Sequence, residues 1–307
     1  MSETDAGEPA TPILPYLPLP ELEDPRTAGR VFDSIATVYD KVRPRYPSAA
    51  LEDLRTRCGI GSGRRVLEVG GGTGQLTQSL AVTGATVRSL EPGSNLLALA
   101  RENLSGTANV EFALSTFEDA EEVAESYDAV VSATAFHWVD PQVGYAKAAH
   151  LLKPGGWLGL LSNMHVAGGT DDQIADAIQE LQERHAPELG RWTFPSIEEL
   201  EARARAGGDI AATWCRVERK VAEPPDVSHL FGPPTVTTYP WTATYDRDGY
   251  VAMLSTQSTY VLMESERREA LLADIGTAID ATLGGTITKQ YVTVMAISRQ
   301  TATAGAT

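Results

Sequence analysis

The sequence predicts an α/β fold, a doubly wound sheet with helices on both faces. Three observations carry that expectation. Between residues 65 and 161, short runs rich in Val and Leu alternate with helical stretches, the rhythm of parallel βαβ units. The first apolar run leads into a turn packed with glycine, Gly70-Gly71-Gly72-Thr73-Gly74, that opens a helix. A turn of this kind at the carboxyl end of a parallel strand forms a ligand crevice. Finally, Tyr291–Ser298 is apolar on both faces, which suits a central strand rather than a solvated one.

Taken in order, residues 28–60 read as two helical pieces. Phe32, Ile35 and Tyr39 share one face, Pro44 and Pro47 interrupt, and Leu51, Leu54 and Cys58 resume the period. Strands follow at Arg65–Val69, Thr86–Leu90, Val110–Leu114, Asp128–Ala133 and Gly156–Leu161, with helices at Gly74–Val82, Ser94–Leu104 and Pro141–Leu152. The rhythm then changes. Thr170–His185 is an amphipathic helix with Ile174, Ile178 and Leu181 on one face, and Thr170 with Gln173 has the spacing of a capping box. Residues 186–234 are irregular, with Trp192, Phe194, Trp214 and Phe231 scattered through them. Val236–Thr244 is a sixth strand, Tyr250–Thr256 and Ser265–Leu283 are helical, and Tyr291–Ser298 is the last strand.

This gives four expected parts. Residues 1–27 form a flexible acidic arm with six prolines, 28–164 a core, 165–235 a cap between the fifth and sixth strands, and 236–300 the remainder of the core sheet. The 307 residues carry a net charge of -16. No basic patch is visible, so no nucleic-acid partner is expected. No apolar run nears the ~18 residues of a membrane span, so no membrane partner is expected either. Cys58 and Cys215 match no metal or redox spacing, and the start lacks a signal-peptide pattern, so the expected setting is cytoplasmic.

The glycine turn narrows the chemistry. A dinucleotide site wants G-x-G-x-x-G; counted from Gly70, its last glycine would fall on Gln75. The residues instead spell E-x-G-x-G-x-G, with Glu68, Gly70, Gly72 and Gly74. Glu91 ends the second strand 17 residues after Gly74, near the spacing of an acid that accepts from ribose hydroxyls. That feature alone fits a nicotinamide or an adenosyl cofactor.

The turn resembles motif I of the class I S-adenosylmethionine-dependent methyltransferases. Ser132–Pro141, with its His137-Trp138-Val139-Asp140-Pro141, and Leu151–Leu158 (LLKPGGWL) resemble later segments of the same superfamily, in the expected order. Phe32–Pro47 (FDSIATVYDKVRPRYP) and Leu254–Leu262 (LSTQSTYVL) resemble flanking segments of a subgroup that includes trans-aconitate methyltransferases. The resemblance implies a Rossmann-like sheet of seven strands with the last antiparallel. It also implies S-adenosyl-L-methionine as cofactor, and a small-molecule acceptor, either a specialised metabolite or a carboxylic acid.

The resemblance also assigns residues. Cofactor contacts fall on Tyr39, Arg43, Glu68, Gly70, Gly72, Gly74, Glu91, Thr116, Phe117, Ala133 and Thr134, with Thr116 where an Asp is usual. His137 would look toward the acceptor and is the candidate base, since histidine titrates nearest neutrality. His165, just after the fifth strand, is a second histidine that could face the pocket. Trp138, Trp192, Trp214, Trp241 and Tyr260 could build an aromatic acceptor box. No metal cluster is expected, and the chain is taken as a monomer or homodimer. The alternatives are a nicotinamide-dependent oxidoreductase and a non-catalytic adenosyl-binding protein.

Overall fold

The computed structural model describes residues 32–189, 194–218 and 224–301; the arm at 1–27 and Trp192 lie outside them. A 3-10 turn (Phe32–Ile35) leads into α1 (Ala36–Val42) and α2 (Ser48–Arg57). Then come β1 (Arg65–Val69), α3 (Gln75–Ala81), β2 (Thr86–Glu91), α4 (Ser94–Asn103), β3 (Val110–Leu114), β4 (Tyr127–Ala133), α5 (Pro141–Leu151) and β5 (Leu152–Gly169). Helices α6 (Ala175–His185), α7 (Ile197–Arg205) and α8 (Ile210–Glu218) follow. The fold finishes with β6 (Thr235–Asp246), α9 (Arg247–Ser255), α10 (Ser258–Val261), α11 (Ser265–Leu283) and β7 (Thr286–Arg299).

The strands form one sheet in the order β3-β2-β1-β4-β5-β7-β6. The first five are parallel, and β7 runs antiparallel to both β5 and β6. The order reverses between β1 and β4, which opens a crevice beyond their carboxyl ends. One face of the sheet buries Leu54 of α2 and Leu76 and Leu80 of α3. The other buries Tyr145 and Ala148 of α5 against Leu67, Val130 and Leu158. β7 is interior as expected, with Val292, Val294, Met295 and Ala296 fully buried.

Three local expectations are corrected. β5 runs to Gly169 instead of stopping near 161, because β7 continues to pair with it beyond the parallel part of the sheet. Thr170 forms no capping box: its hydroxyl accepts from Thr288 N at 2.8 Å, and the first turn, Asp171–Ile174, is 3-10. The stretch read as irregular contains α7 and α8. Ser196 and Glu199 make a capping box there. Within the described part of 165–235, these two helices back the sheet. Leu200 and Ala204 pack on Met164, Val166, Val292 and Val294, while Ile210, Ala211 and Trp214 join the core beneath α5.

Candidate active site

The glycine turn is shaped by what presses on it. Gly70 has φ +73°, and a Cβ there would lie 2.3 Å from that of Ala135, so only glycine fits. Gly70 N and Gly71 N both donate to Leu90 O, at 2.9 and 3.0 Å, tying the turn to the end of β2. Gly72, at φ +56°, has open space where a Cβ would stand, so a ligand can lie directly against its backbone.

Glu91 sits at the centre of this arrangement. One carboxylate oxygen accepts from Gly72 N at 2.8 Å and the other from Gly93 N at 2.9 Å. Burial pushes its carboxyl up to about 7, against the pull of those two N–H groups. Each oxygen keeps a lone pair for a further donor. Glu68 and Gly74 do not reach the cleft. Glu68 is buried under the turn, accepts from the Thr77 hydroxyl at 2.5 Å, and is raised from the usual carboxylate range by burial. Gly74 is held close to the Leu104 and Ala100 side chains. Both shape the loop from behind.

The other expected residues line one cleft: Tyr39, Arg43, Gly70, Gly72, Glu91, Thr116, Phe117, Ala133, Thr134 and His137. Phe117 forms an apolar wall with Phe136, their ring centres 6.2 Å apart. Thr116 lines the cleft, but its hydroxyl donates to Asp119 Oδ2 at 2.8 Å and so holds its own loop. Thr134 adopts φ +53°, unusual for a β-branched residue. Its hydroxyl pairs with the Tyr46 hydroxyl at 2.8 Å, and burial raises that phenol. His137 stands in the 3-10 turn Phe136–Trp138 with its ring tilted over Trp138. The Asp140-Pro141 pair that follows starts α5, Asp140 accepting from Gln142 N at 2.9 Å.

Arg43 closes the opposite wall. Its guanidinium lies 4.9 Å from the Tyr39 ring centre and 5.6 Å from that of Phe32, and Nη2 donates to Thr256 O at 2.5 Å. Nε is buried and has no hydrogen-bond partner among the described residues.

The rest of the cleft lining is only partly legible in the sequence. It includes Met164, His165, Phe194 and Gln257–Thr259, with Trp138. His165 stacks on Phe194 (ring centres 5.6 Å apart) and tilts on Tyr291. Burial holds it well below the usual histidine range, helped by Lys289 and Arg43. Its Nε2 is 3.5 Å from Gln257 Nε2. Lys289 stands 4.1 Å from the Phe194 ring centre and forms a buried ion pair with Asp171. The aromatic box is thus corrected. Trp214 and Tyr260 are core residues, Tyr260 taking a bond from Gln182 Nε2 at 3.2 Å, and Trp241 stacks on Tyr291 outside the cleft lining. Phe194 had no periodic signal to mark it; Gln257–Thr259 lay inside the LSTQSTYVL segment.

Residues 66–156 match the family described as "Methyltransferase domain". Among similar proteins, an uncharacterized methyltransferase of Mycobacterium tuberculosis is 36% identical over 152 residues, covering 50% of this chain and 57% of that protein. A ubiquinone biosynthesis O-methyltransferase of Xanthomonas axonopodis is 38% identical over 120 residues, covering 38% of this chain and 47% of the relative. The chain thus spans about half the length of the curated relatives it matches. A solved structure, a putative type II methyltransferase from Anaeromyxobacter dehalogenans, superposes with a TM-score of 0.50 at 22% identity. That match covers 84% of this chain and 97% of the other, a likeness of fold. No helix among the described residues is long and apolar enough to cross a membrane. No group of three or more His, Cys, Asp or Glu among them could hold a metal ion.

Proposed function

We propose that the chain transfers the methyl group of S-adenosyl-L-methionine to a small-molecule acceptor held beyond His137 and His165. The observation that carries this reading is Glu91, a buried carboxylate fixed by two loop N–H groups with a lone pair left on each oxygen.

The residues present fit the cofactor. Glu91 would accept from the two ribose hydroxyls. Phe117 offers an apolar face to an adenine, and the open backbone at Gly72 admits close approach. The partnerless Nε of Arg43 suits the methionine carboxylate in a charge-assisted bond. When bound, S-adenosylmethionine supplies a methyl on a sulfonium, open to in-line displacement. The chain's own part is alignment and exclusion of water. Well-oriented reactants gain up to ~7–11 kcal/mol in intramolecular reactions, and Trp138, Phe32 and Phe194 wall the cleft with apolar surface.

An acceptor bearing a proton needs somewhere to place it. His137 is the first candidate to take it; His165 is a poor acceptor, because burial and the nearby Lys289 and Arg43 hold its imidazole well below the usual histidine range. The test is calorimetric titration with S-adenosylmethionine, S-adenosylhomocysteine and NADH, on wild type and Glu91→Ala. Micromolar binding of both adenosyl ligands, weakened in the variant and absent for NADH, is expected. Binding of NADH alone would overturn the reading.

A further inference from the structure

We infer that Asp33 is a positioning residue for the cofactor end of the cleft: it caps helix α4 from outside and so fixes Tyr39 and Arg43 over the crevice. The inference rests on the cofactor reading above.

Helix α4 begins at Ser94 behind Gly93, which has no side chain to cap it. The leading N–H groups of a helix find no partner within it. Asp33 supplies what is missing. Its Oδ1 accepts from Asn95 N at 2.6 Å and from Leu96 N at 3.0 Å. Its Oδ2 accepts from the Ser94 hydroxyl at 3.3 Å, and its carbonyl accepts from Asn95 Nδ2 at 3.1 Å. The negative charge also suits the positive end of the helix.

The tie falls beside the cofactor acid. A Cβ on Gly93 would meet Asp33 Oδ1 at 2.8 Å and Glu91 Oε1 at 3.1 Å, so the two carboxylates flank one residue. From this anchor the chain runs through the Phe32–Ile35 turn into α1, which delivers Tyr39. Just past α1, Arg43 bonds Thr256 O. Phe32 and Leu96, on either side of the tie, both line the cleft, whereas Asp33 does not. Its effect therefore passes through the residues it holds.

The experiment is calorimetric titration of S-adenosylhomocysteine into wild type, Asp33→Ala, Asp33→Asn, Arg43→Ala and the Asp33→Ala/Arg43→Ala pair. Amide hydrogen exchange is followed at Asn95 and Leu96. Asp33→Ala should bind roughly tenfold more weakly, the scale of a lost cap, and should lose protection at both amides. Asp33→Asn keeps an oxygen acceptor and guards against a variant that merely fails to fold; it should stay within about threefold of wild type. If Asp33 acts by placing Arg43 together with Tyr39, the pair should lose less affinity than the sum of the two single losses. Unchanged affinity in Asp33→Ala, unchanged amide protection, or fully additive losses in the pair would each overturn the positioning role. A wild type that binds no S-adenosylhomocysteine would instead overturn the cofactor reading, and amide protection would still test the tie.

Discussion

One wall of the cleft comes from the turns after β1, β2, β3 and β4. The other comes from segments far apart in the chain: Phe32–Arg43, Met164–His165, Phe194 and Gln257–Thr259. The first wall carries the open backbone at Gly72 and a carboxylate fixed by two loop N–H groups. The second is mostly side chains, held by aromatic contacts such as His165 on Phe194 and Arg43 on Tyr39. A wall made of backbone binds whatever part of a ligand is constant, while a wall made of side chains can change its choice of ligand without disturbing the sheet.

This contrast can be broken most directly at Glu91. Glu91→Ala should weaken S-adenosylhomocysteine binding about 100-fold, since it removes two acceptors of charge-assisted bonds; calorimetry reads the loss, and a change under about threefold would mean the backbone wall does not hold the cofactor. Next is Gly70→Ala, which drives a Cβ against Ala135 at a positive φ. About 2–3 kcal/mol of stability should be lost by denaturant titration. Adding Ala135→Gly should restore only the steric part.

The pH response sharpens the same contrast. The Glu91 carboxyl is raised from 4.5 to about 7 in the folded protein, so the folded state holds its proton more tightly than the unfolded one. That contribution to stability is complete below pH 4.5 and is lost as pH rises through about 7. Glu91→Gln should therefore flatten the melting temperature of the ligand-free protein across this window. In the proposed reading the ionised form accepts ribose hydroxyls, so wild-type affinity for S-adenosylhomocysteine should climb over the same range. The smallest effect is expected at two side chains of the second wall: His165→Ala and Gln257→Ala should leave that affinity within about twofold, since neither is a cofactor contact in the proposed reading. A larger loss in either would show that the two walls are not separable.

The first wall was also the legible one. Gly70, Gly72 and Glu91 are set by the few residue types that a tight strand-to-helix turn tolerates, so the motif resemblance points to them and they line the cleft. Glu68 and Gly74 belong to the same signature yet stand behind the loop, because a pattern marks what shapes a turn as readily as what touches a ligand. Thr116 was located correctly on the cleft, but its bond to Asp119 follows from loop geometry that no spacing reveals. Phe194 and Asp33 carried no local signal: their roles arise from packing against residues far along the chain. Trp214 reads as a candidate ligand aromatic until α8 places it under α5.

The long last strand has a consequence for how the molecule is made. β5 pairs with β4 on one edge, but its other edge waits for residues 289–299 of β7. During synthesis the parallel half therefore carries an apolar, unsatisfied edge until nearly the whole described chain has emerged. Such an edge is a template for mispairing, and closing it joins residues more than a hundred positions apart, which is intrinsically slow. Shortening β7 should therefore cost soluble yield before it costs ligand affinity.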